Sequence, residues 1–251
     1  FNIQQVVDDL AEHGQCASAL SALLALEELL YTTPLHVHLK RFETVLAHPD
    51  AETERALWIA VKIAQARSFR FLGHAPASIA ALDAVLVVIE GSDFRAEQVR
   101  ARIEKARALR AIGRADDAKT MLLDAMAQAE AWSLPDWVHA AMGTLALADF
   151  AAGRLSAAMA QLKAVNEAYA QRGIDQLERV SQVNLGRCHV ELGELDEAER
   201  CFSRSVELGA LIHHEWSMGY GHTKLGEVKT VHGQTDQAQV EFSTALDMLR
   251  R

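Results

Sequence analysis

The sequence predicts an all-α chain, an α-solenoid of about six helix–turn–helix repeats with one extra helix near residues 35–47. Three observations predict it. Glycines stand at 73, 113, 153, 193 and 233, each 40 residues after the one before, and a fixed period of this size marks an array of repeats. Around each glycine, small and large apolar residues recur at helical spacing. The composition agrees: 50% of residues are apolar, only 6% are aromatic, and roughly one residue in six is alanine. Alanine has the best helix propensity and lets helix backbones approach closely.

Each repeat is justified by the same positions. Five residues after the glycine stands a small residue: Ala19, Ser78, Ala118, Ala158, Ala198 and Ala238. Nine after it stands a large one: Leu23, Leu82, Leu122, Leu162, Phe202 and Phe242. Three further come Leu26, Val85, Ala125, Val165 and Ala245, with Ser205 the exception. This is the i, i+4, i+7 stripe of one helix face. Seven residues before the glycine the position is small again: Ala66, Ala106, Ala146, Gly186 and Gly226. Each unit is therefore two helices, the first ended by a glycine that enters the left-handed region without steric cost. No Asn-Gly hairpin turn and no period-2 alternation argue for strands.

In chain order the expected repeats are 1–31, 51–91, 92–132, 133–172, 173–211 and 212–251, one solenoid over 1–251. The step from Gly14 to Gly73 is 59 residues, 19 more than the period. Thr32-Thr33-Pro34 reads as a helix start, with a hydroxyl cap and proline in the first turn. Leu35–Ala47 then forms the inserted helix, and Pro49-Asp50 starts the next. The chain opens at Phe1 and shows no polar capping helix at either end, so a piece of a longer protein is expected.

Two segments carry a family resemblance. Leu185-Gly186, Gly193, Ala198 and Phe202, and again Leu225-Gly226, Gly233, Ala238 and Phe242, resemble tetratricopeptide (TPR) repeats in a long, 40-residue form. The resemblance covers nearly the whole chain and is strongest over 175–250. Gln65 and Lys105 depart from it by replacing the leucine of the Leu-Gly pair, and His189 and Lys229 by replacing its usual aromatic. The resemblance implies a right-handed superhelix whose first helices line a concave groove. It also implies a protein- or peptide-binding module, and its style is similar to TPR regions of bacterial transcription activators and cyclases.

Other function classes find little support. The net charge of −9 argues against direct nucleic-acid binding. No apolar run is long enough to span a membrane and no secretory leader opens the chain. Cys16, Cys188 and Cys201 are odd in number and without CxxC spacing, which fits reduced thiols in a cytoplasm. No GxSxG, Walker or HExxH sequence occurs, so neither an enzyme nor a cofactor is expected. Gly219-Tyr220-Gly221-His222-Thr223-Lys224-Leu225-Gly226 approximates a phosphate loop but falls inside an expected helix. His36/His38, His213/His214/His222 and Cys188-His189 diverge on helices and make no metal site. Trp58, Trp132, Trp137 and Trp216 read as packing residues.

Arginine is the exception. Residues 51–115 hold eleven Lys/Arg against seven Asp/Glu, a net of +4 in an otherwise acidic chain. The TPR resemblance places groove-facing positions thirteen, ten, six and three residues before each turn glycine. These are Ala60, Ile63, Arg67 and Arg70; Arg100, Ile103, Arg107 and Arg110; Ala140, Gly143, Leu147 and Phe150; Val180, Val183, Arg187 and Val190; and Tyr220, Thr223, Glu227 and Thr230. Arg67, Arg70, Arg100, Arg107 and Arg110 are thereby expected to cluster on two neighbouring repeats, with Arg187 further along and Leu147, Phe150 and Val183 as apolar anchors. Guanidinium groups bind carboxylate or phosphate in a two-pronged way. Either Glu97, Glu104 and Asp83 neutralise the cluster, or the arginines are solvated helix faces, or the cluster receives an anion. Asn184, just before Leu185-Gly186, occupies the place where the resemblance implies a bond to a ligand main chain. Two binding functions follow: capture of an acidic or amphipathic protein segment, or sensing of a small anionic metabolite or nucleotide. Self-association through uncapped repeat ends and a purely structural role are further possibilities.

Overall fold

A computed structural model describes residues 3–27 and 35–250. Among them are thirteen α-helices and no strand: α1 (Ile3–Glu12), α2 (Cys16–Glu27), α3 (Leu35–Leu46), α4 (Arg55–Phe71), α5 (Ala75–Ile89), α6 (Arg95–Ala111), α7 (Ala115–Ala131), α8 (Pro135–Ala151), α9 (Leu155–Gln171), α10 (Asp175–Leu192), α11 (Leu195–Leu211), α12 (Glu215–Val231) and α13 (Thr235–Leu249). The chain is an all-helical repeat protein, with the extra helix α3 where the 59-residue step predicts it. The helix-start signal Thr32-Thr33-Pro34 lies outside the described residues. Pro49-Asp50 does not start a helix. Residues 48–53 make tight turns, with Ala51 N–H donating to His48 O (3.0 Å) and Thr53 N–H to Asp50 O (3.1 Å), and α4 begins at Arg55.

The chain divides into two compact units, residues 1–141 and 142–251. In the first, α4 packs on α5, α5 on α6 and α6 on α7, while α4 and α6 lie side by side. The inserted α3 packs against α1, α2 and α4 through buried Phe42 and Val45. In the second, α9 to α13 pack in succession.

Every turn glycine of the 40-residue series has φ of 74–81°. The following residue's N–H closes back onto the first helix, His74 to Phe69 O at 2.8 Å and Glu194 to His189 O at 2.9 Å. This bond satisfies carbonyls that the helix end would otherwise leave open. A second set of left-handed residues follows α5, α7, α9 and α11: Gly91, Ser133, Gly173 and His213, the last three again 40 apart. The sequence conceals this series because serine and histidine replace glycine in two of its places.

The stripe positions are the core. Ala19, Ser78, Ala118, Ala158, Ala198 and Ala238 are buried, as are Leu23, Leu82, Leu122, Leu162 and Phe202. Residue sizes across each helix pair are complementary. Ala66, Ala106 and Ala146 stand in repeats with Leu82, Leu122 and Leu162, whereas Gly186 and Gly226 stand in repeats with Phe202 and Phe242. A Cβ on Gly186 would lie 2.6 Å from Phe202 Cε1, and one on Gly226 at 2.6 Å from Phe242 Cε1. Gly186→Ala is therefore expected to destabilise the protein by about 2 kcal/mol through overpacking. Gly186→Ala/Phe202→Leu, which installs the pairing of the earlier repeats, is expected to regain at least half. Urea midpoints for the two variants check this, and a double variant no better than the single would contradict the volume argument.

Close approach also explains the glycines of the loop-like stretch in α12. A Cβ on Gly221 would lie 2.5 Å from Val206 Cγ2, and one on Gly219 at 2.9 Å from Leu249 Cγ. The stretch is helix throughout, as its sequence context predicts. Cys16 and Cys188 are buried free thiols. Burial pushes the half-buried Cys201 thiol up to about 11, which keeps it protonated and unreactive at neutral pH. Among the described residues no helix is long and apolar enough to cross a membrane, and no group of three potential metal ligands converges.

Candidate functional site

Of the arginines expected to cluster, Arg70 and Arg107 meet on one carboxylate, Glu104, and the charges of Arg67 and Arg100 act on it. Arg67 and Arg70 lie three apart on α4, and Arg100, Glu104, Arg107 and Arg110 follow at helical spacing on the adjacent α6. Glu104 has only 6% of its side chain exposed. Arg107 Nη1 donates to its Oε1 at 2.6 Å, and Arg70 Nη2 reaches from α4 to its Oε2 at 3.5 Å. The side chains of Arg70 and Arg107 are 18% and 31% exposed. Arg70 also stacks over the exposed Phe71 ring, its Cζ 4.4 Å from the centroid. The carboxylate thus ties the first helices of two neighbouring repeats together.

The electrostatics follow from burial and charge. Burial pulls the Glu104 carboxyl upward. The guanidinium groups of Arg107, Arg70, Arg67 and Arg100 outweigh it and hold the group below the usual carboxylate range. Burial pushes the Arg70 guanidinium down from its ordinary value; Glu104 opposes this, and Arg107 and Arg67 add to it. Of the three carboxylates weighed as neutralisers, Glu104 sits in the cluster. Asp83 instead pairs with Lys105 on the other side of α6.

Buried carboxylates elsewhere are gripped differently. Asp149 accepts from Arg154 Nε (2.8 Å) and Gln161 Nε2 (3.1 Å), and Glu178 accepts from Arg204 Nε (3.0 Å). Arg154 is the residue that precedes α9 at the turn from α8, and Arg204 belongs to the second helix α11. Only around Glu104, among these three, do arginines gather from first helices.

The second unit carries the apolar candidates. Leu147, Phe150, Val183 and Asn184 are half-buried, and Arg187 is exposed. Arg187 lies over the Phe150 ring with Cζ 4.9 Å from its centroid, so two predicted site residues do meet. Phe150 and Val183 also pack against core clusters, the first with Ala158, Leu162 and Cys188, the second with Phe202 and Leu225. Val180 and Val190 are exposed, but Ile63 and Ile103 are buried rather than groove-facing. Their position turns inward in the first unit, where α4 and α6 lie side by side.

One feature of this surface escaped the sequence reading. Trp216 is not packed between helices: it is 50% exposed and stacks on Tyr220 with ring centroids 5.8 Å apart. Lys224 Nζ lies 5.5 Å from the Tyr220 centroid. The i, i+4, i+8 spacing of these three residues was the available signal.

These helix pairs, their left-handed turns and their small-against-large packing define a helical repeat protein of the TPR-like fold. No protein-family model matches the chain, and no curated protein matches it. Solved structures do. The Rap conjugation gene regulator of plasmid pLS20, in complex with the Phr* peptide, superposes with a TM-score of 0.73 at 11% identity, covering 96% of this chain and 76% of that one. BtubC (BKLC) from P. vanneervenii gives 0.67 at 14% identity, over 92% and 91% of the two chains. An array of nearly identical TPR-like repeats from Podosopora anserina gives 0.59 at 21% identity, over 74% and 92%. At these identities the likeness is one of fold.

Proposed function

We propose that the chain is a regulatory or scaffolding module that captures an acidic or amphipathic protein segment on the arginine-bearing face of α4 and α6. The observation that carries this reading is that Arg70 of α4 and Arg107 of α6 both reach one buried carboxylate, Glu104, whose charge Arg67 and Arg100 also stabilise. Guanidinium groups bind carboxylates in a two-pronged geometry and stay charged at any relevant pH. A likeness of fold to a repeat protein solved with a bound peptide supports it. In the second unit, Leu147, Phe150 and Val183 offer apolar anchoring, while Asn184 and Arg187 offer polar contacts. The setting proposed is the cytoplasmic sensory or interaction part of a bacterial signalling protein, such as a transcription activator or a cyclase.

The test is fluorescence anisotropy with a labelled amphipathic peptide of alternating Glu and Leu, against the same peptide with Lys for Glu. The acidic peptide is expected to bind and the basic one not to. Binding should weaken as salt rises, because exposed charge attraction is screened over about 8–10 Å at moderate ionic strength. Charge reversal at Arg67, Arg107 and Arg110 together should weaken it at least about tenfold, the scale of removing one or more close interfacial charge pairs. Equal affinity of the charge-reversed protein rejects the reading. Competition by inorganic phosphate or ATP at concentrations well below those of the salt would point instead to the small-anion alternative.

A further inference from the structure

Arg102 stands two residues before Glu104 and so on nearly the opposite face of α6. There it lines a cavity of about 540 Å3 formed by α5, α6 and α7 of the first unit. Its side chain is half-buried and its Nη1 donates to Gln98 O at 3.3 Å. Burial pulls the guanidinium down from its ordinary value, and the charges of Glu90 and Asp124 oppose this. Among the described residues no carboxylate lies within 4 Å of it. The register explains why. The last repeat places His222, Lys229 and Glu241 where this one has Arg102, Leu109 and Met121. In that repeat Glu241 of α13 bonds both His222 and Lys229 of α12 at 2.7 Å. In the repeat of α6 and α7 a thioether stands in the acid's place, and the cation is kept without its carboxylate. Two acceptors line the same cavity on α7. Asp124 acts on Arg102 by its charge, and its carboxylate makes no hydrogen bond or ion pair among the described residues. Gln128, one turn further on, has its Oε1 buried without a hydrogen-bond partner. The remaining charges of the cavity are answered, Lys105 by Asp83 and Arg114 Nε by Asp117 at 2.6 Å. Ile79, Leu109 and Met121 form its apolar lining.

We propose that this cavity binds a small zwitterion of the amino-acid type with an apolar side chain: its carboxylate docks on Arg102, its ammonium on Asp124 and Gln128 Oε1, and its side chain on Ile79, Leu109 and Met121. The site shares no residue with the arginine-bearing face around Glu104 and does not depend on the reading of that face. A guanidinium takes a carboxylate in charge-assisted, two-pronged bonds. An ammonium has three N–H donors and no acceptor, which suits two acceptors one helical turn apart. The charges of the lining balance, three Lys/Arg against three Asp. A zwitterion preserves that balance, whereas a phosphate or a dicarboxylate would bring excess negative charge beside Asp124. The cavity is within the size range of small-molecule sites, roughly 300–1,000 Å3.

Two alternatives give different results. If Arg102 and Asp124 simply pair with each other in solution, no ligand binds; if the site takes any anion, the ammonium is irrelevant. The experiment is calorimetric titration of the full chain with L-leucine, with L-leucinamide, which lacks the carboxylate, and with N-acetyl-L-leucine, which lacks the ammonium. Leucine is expected to bind, and each analogue to bind at least about tenfold more weakly, the scale of one charge-assisted hydrogen bond. Arg102→Gln should weaken leucine by a similar factor and leave leucinamide unchanged. Asp124→Asn should weaken leucine and leave N-acetyl-leucine unchanged. Absence of leucine binding overturns the proposal, and so does an analogue that binds as tightly as leucine. Leucine bound equally by both variants, with their helical circular-dichroism spectra retained, overturns it too, because the ligand then lies elsewhere. The analogue titrations use the unaltered protein and decide the matter even if a variant does not fold.

Discussion

Ala198→Arg is expected to destabilise the second unit by about 4 kcal/mol, the scale reserved for overpacking combined with a stranded charge. Ala198 has no exposed surface and lies in a cluster with Phe202, Leu225 and Val228. It is the small residue that lets α11 approach its partner, and the same place is filled by Ala118, Ala158 and Ala238 in other repeats. An arginine there has neither room for its stem nor an anion for its head. Because repeat arrays are stabilised mainly through nearest-neighbour interfaces, hydrogen exchange should lose protection first in α10, α11 and α12. Val240→Arg, at an exposed site on α13, is the matched control and should change stability by less than about 0.5 kcal/mol. Equal urea midpoints for the two variants would contradict the packing scheme.

The second large effect is electrostatic. Glu104→Leu removes the carboxylate shared by Arg70 and Arg107 and is expected to cost about 3 kcal/mol, the lower end for breaking a buried pair because the arginines are partly exposed. The source is repulsion among the guanidinium groups, so the deficit should shrink as salt rises, whereas that of Ala198→Arg should not. The same carboxylate gives a pH signature. Its folded-state pKa is depressed by Arg107, Arg70, Arg67 and Arg100 against the pull of burial. Its contribution is therefore present above the unfolded carboxylate value of about 4.3 and disappears as pH falls through the lower folded value. Chemical denaturation between neutral pH and the acid range should show a steeper loss for the unaltered protein than for Glu104→Leu. Parallel curves would mean that Glu104 is not held ionised by the arginines.

Glu241 titrates in the same sense in the second unit. It accepts from Lys229 Nζ and pairs with His222 Nδ1, both at 2.7 Å. Burial draws its carboxyl up, but the bonds to Lys229 and His222 and their charges hold it below the usual range. Lys229 here fills the place of a usual aromatic and carries an ion pair instead of a ring contact, and His189, one repeat earlier, has its Nδ1 in hydrogen-bond contact with Glu194 Oε2 at 2.6 Å. In the last repeat the departure at Lys229 is thus compensated by charge pairing between α12 and α13.

The 40-residue period, the helix pairs, the left-handed glycine turns, the small-against-large stripe and the inserted helix are all properties of local sequence. They depend on backbone sterics and on which residues fall on one helical face, and spacing alone reports both. The second series of turns is equally periodic, but Ser133 and His213 carry no conformational signature of the kind glycine does. The approach of Arg70 and Arg107 on neighbouring first helices was legible once those helices' faces were aligned. Helical spacing places Glu104 between Arg100 and Arg107 on α6; tertiary structure decided that Arg70 of α4 also reaches it, while Asp83 of α5 pairs with Lys105. It also decided that Ile63 and Ile103 turn inward and that Trp216 stays half exposed. Helical periodicity places a residue on a face; what that face meets depends on the distance to the neighbouring helix, which is determined by packing between residues far apart in the chain.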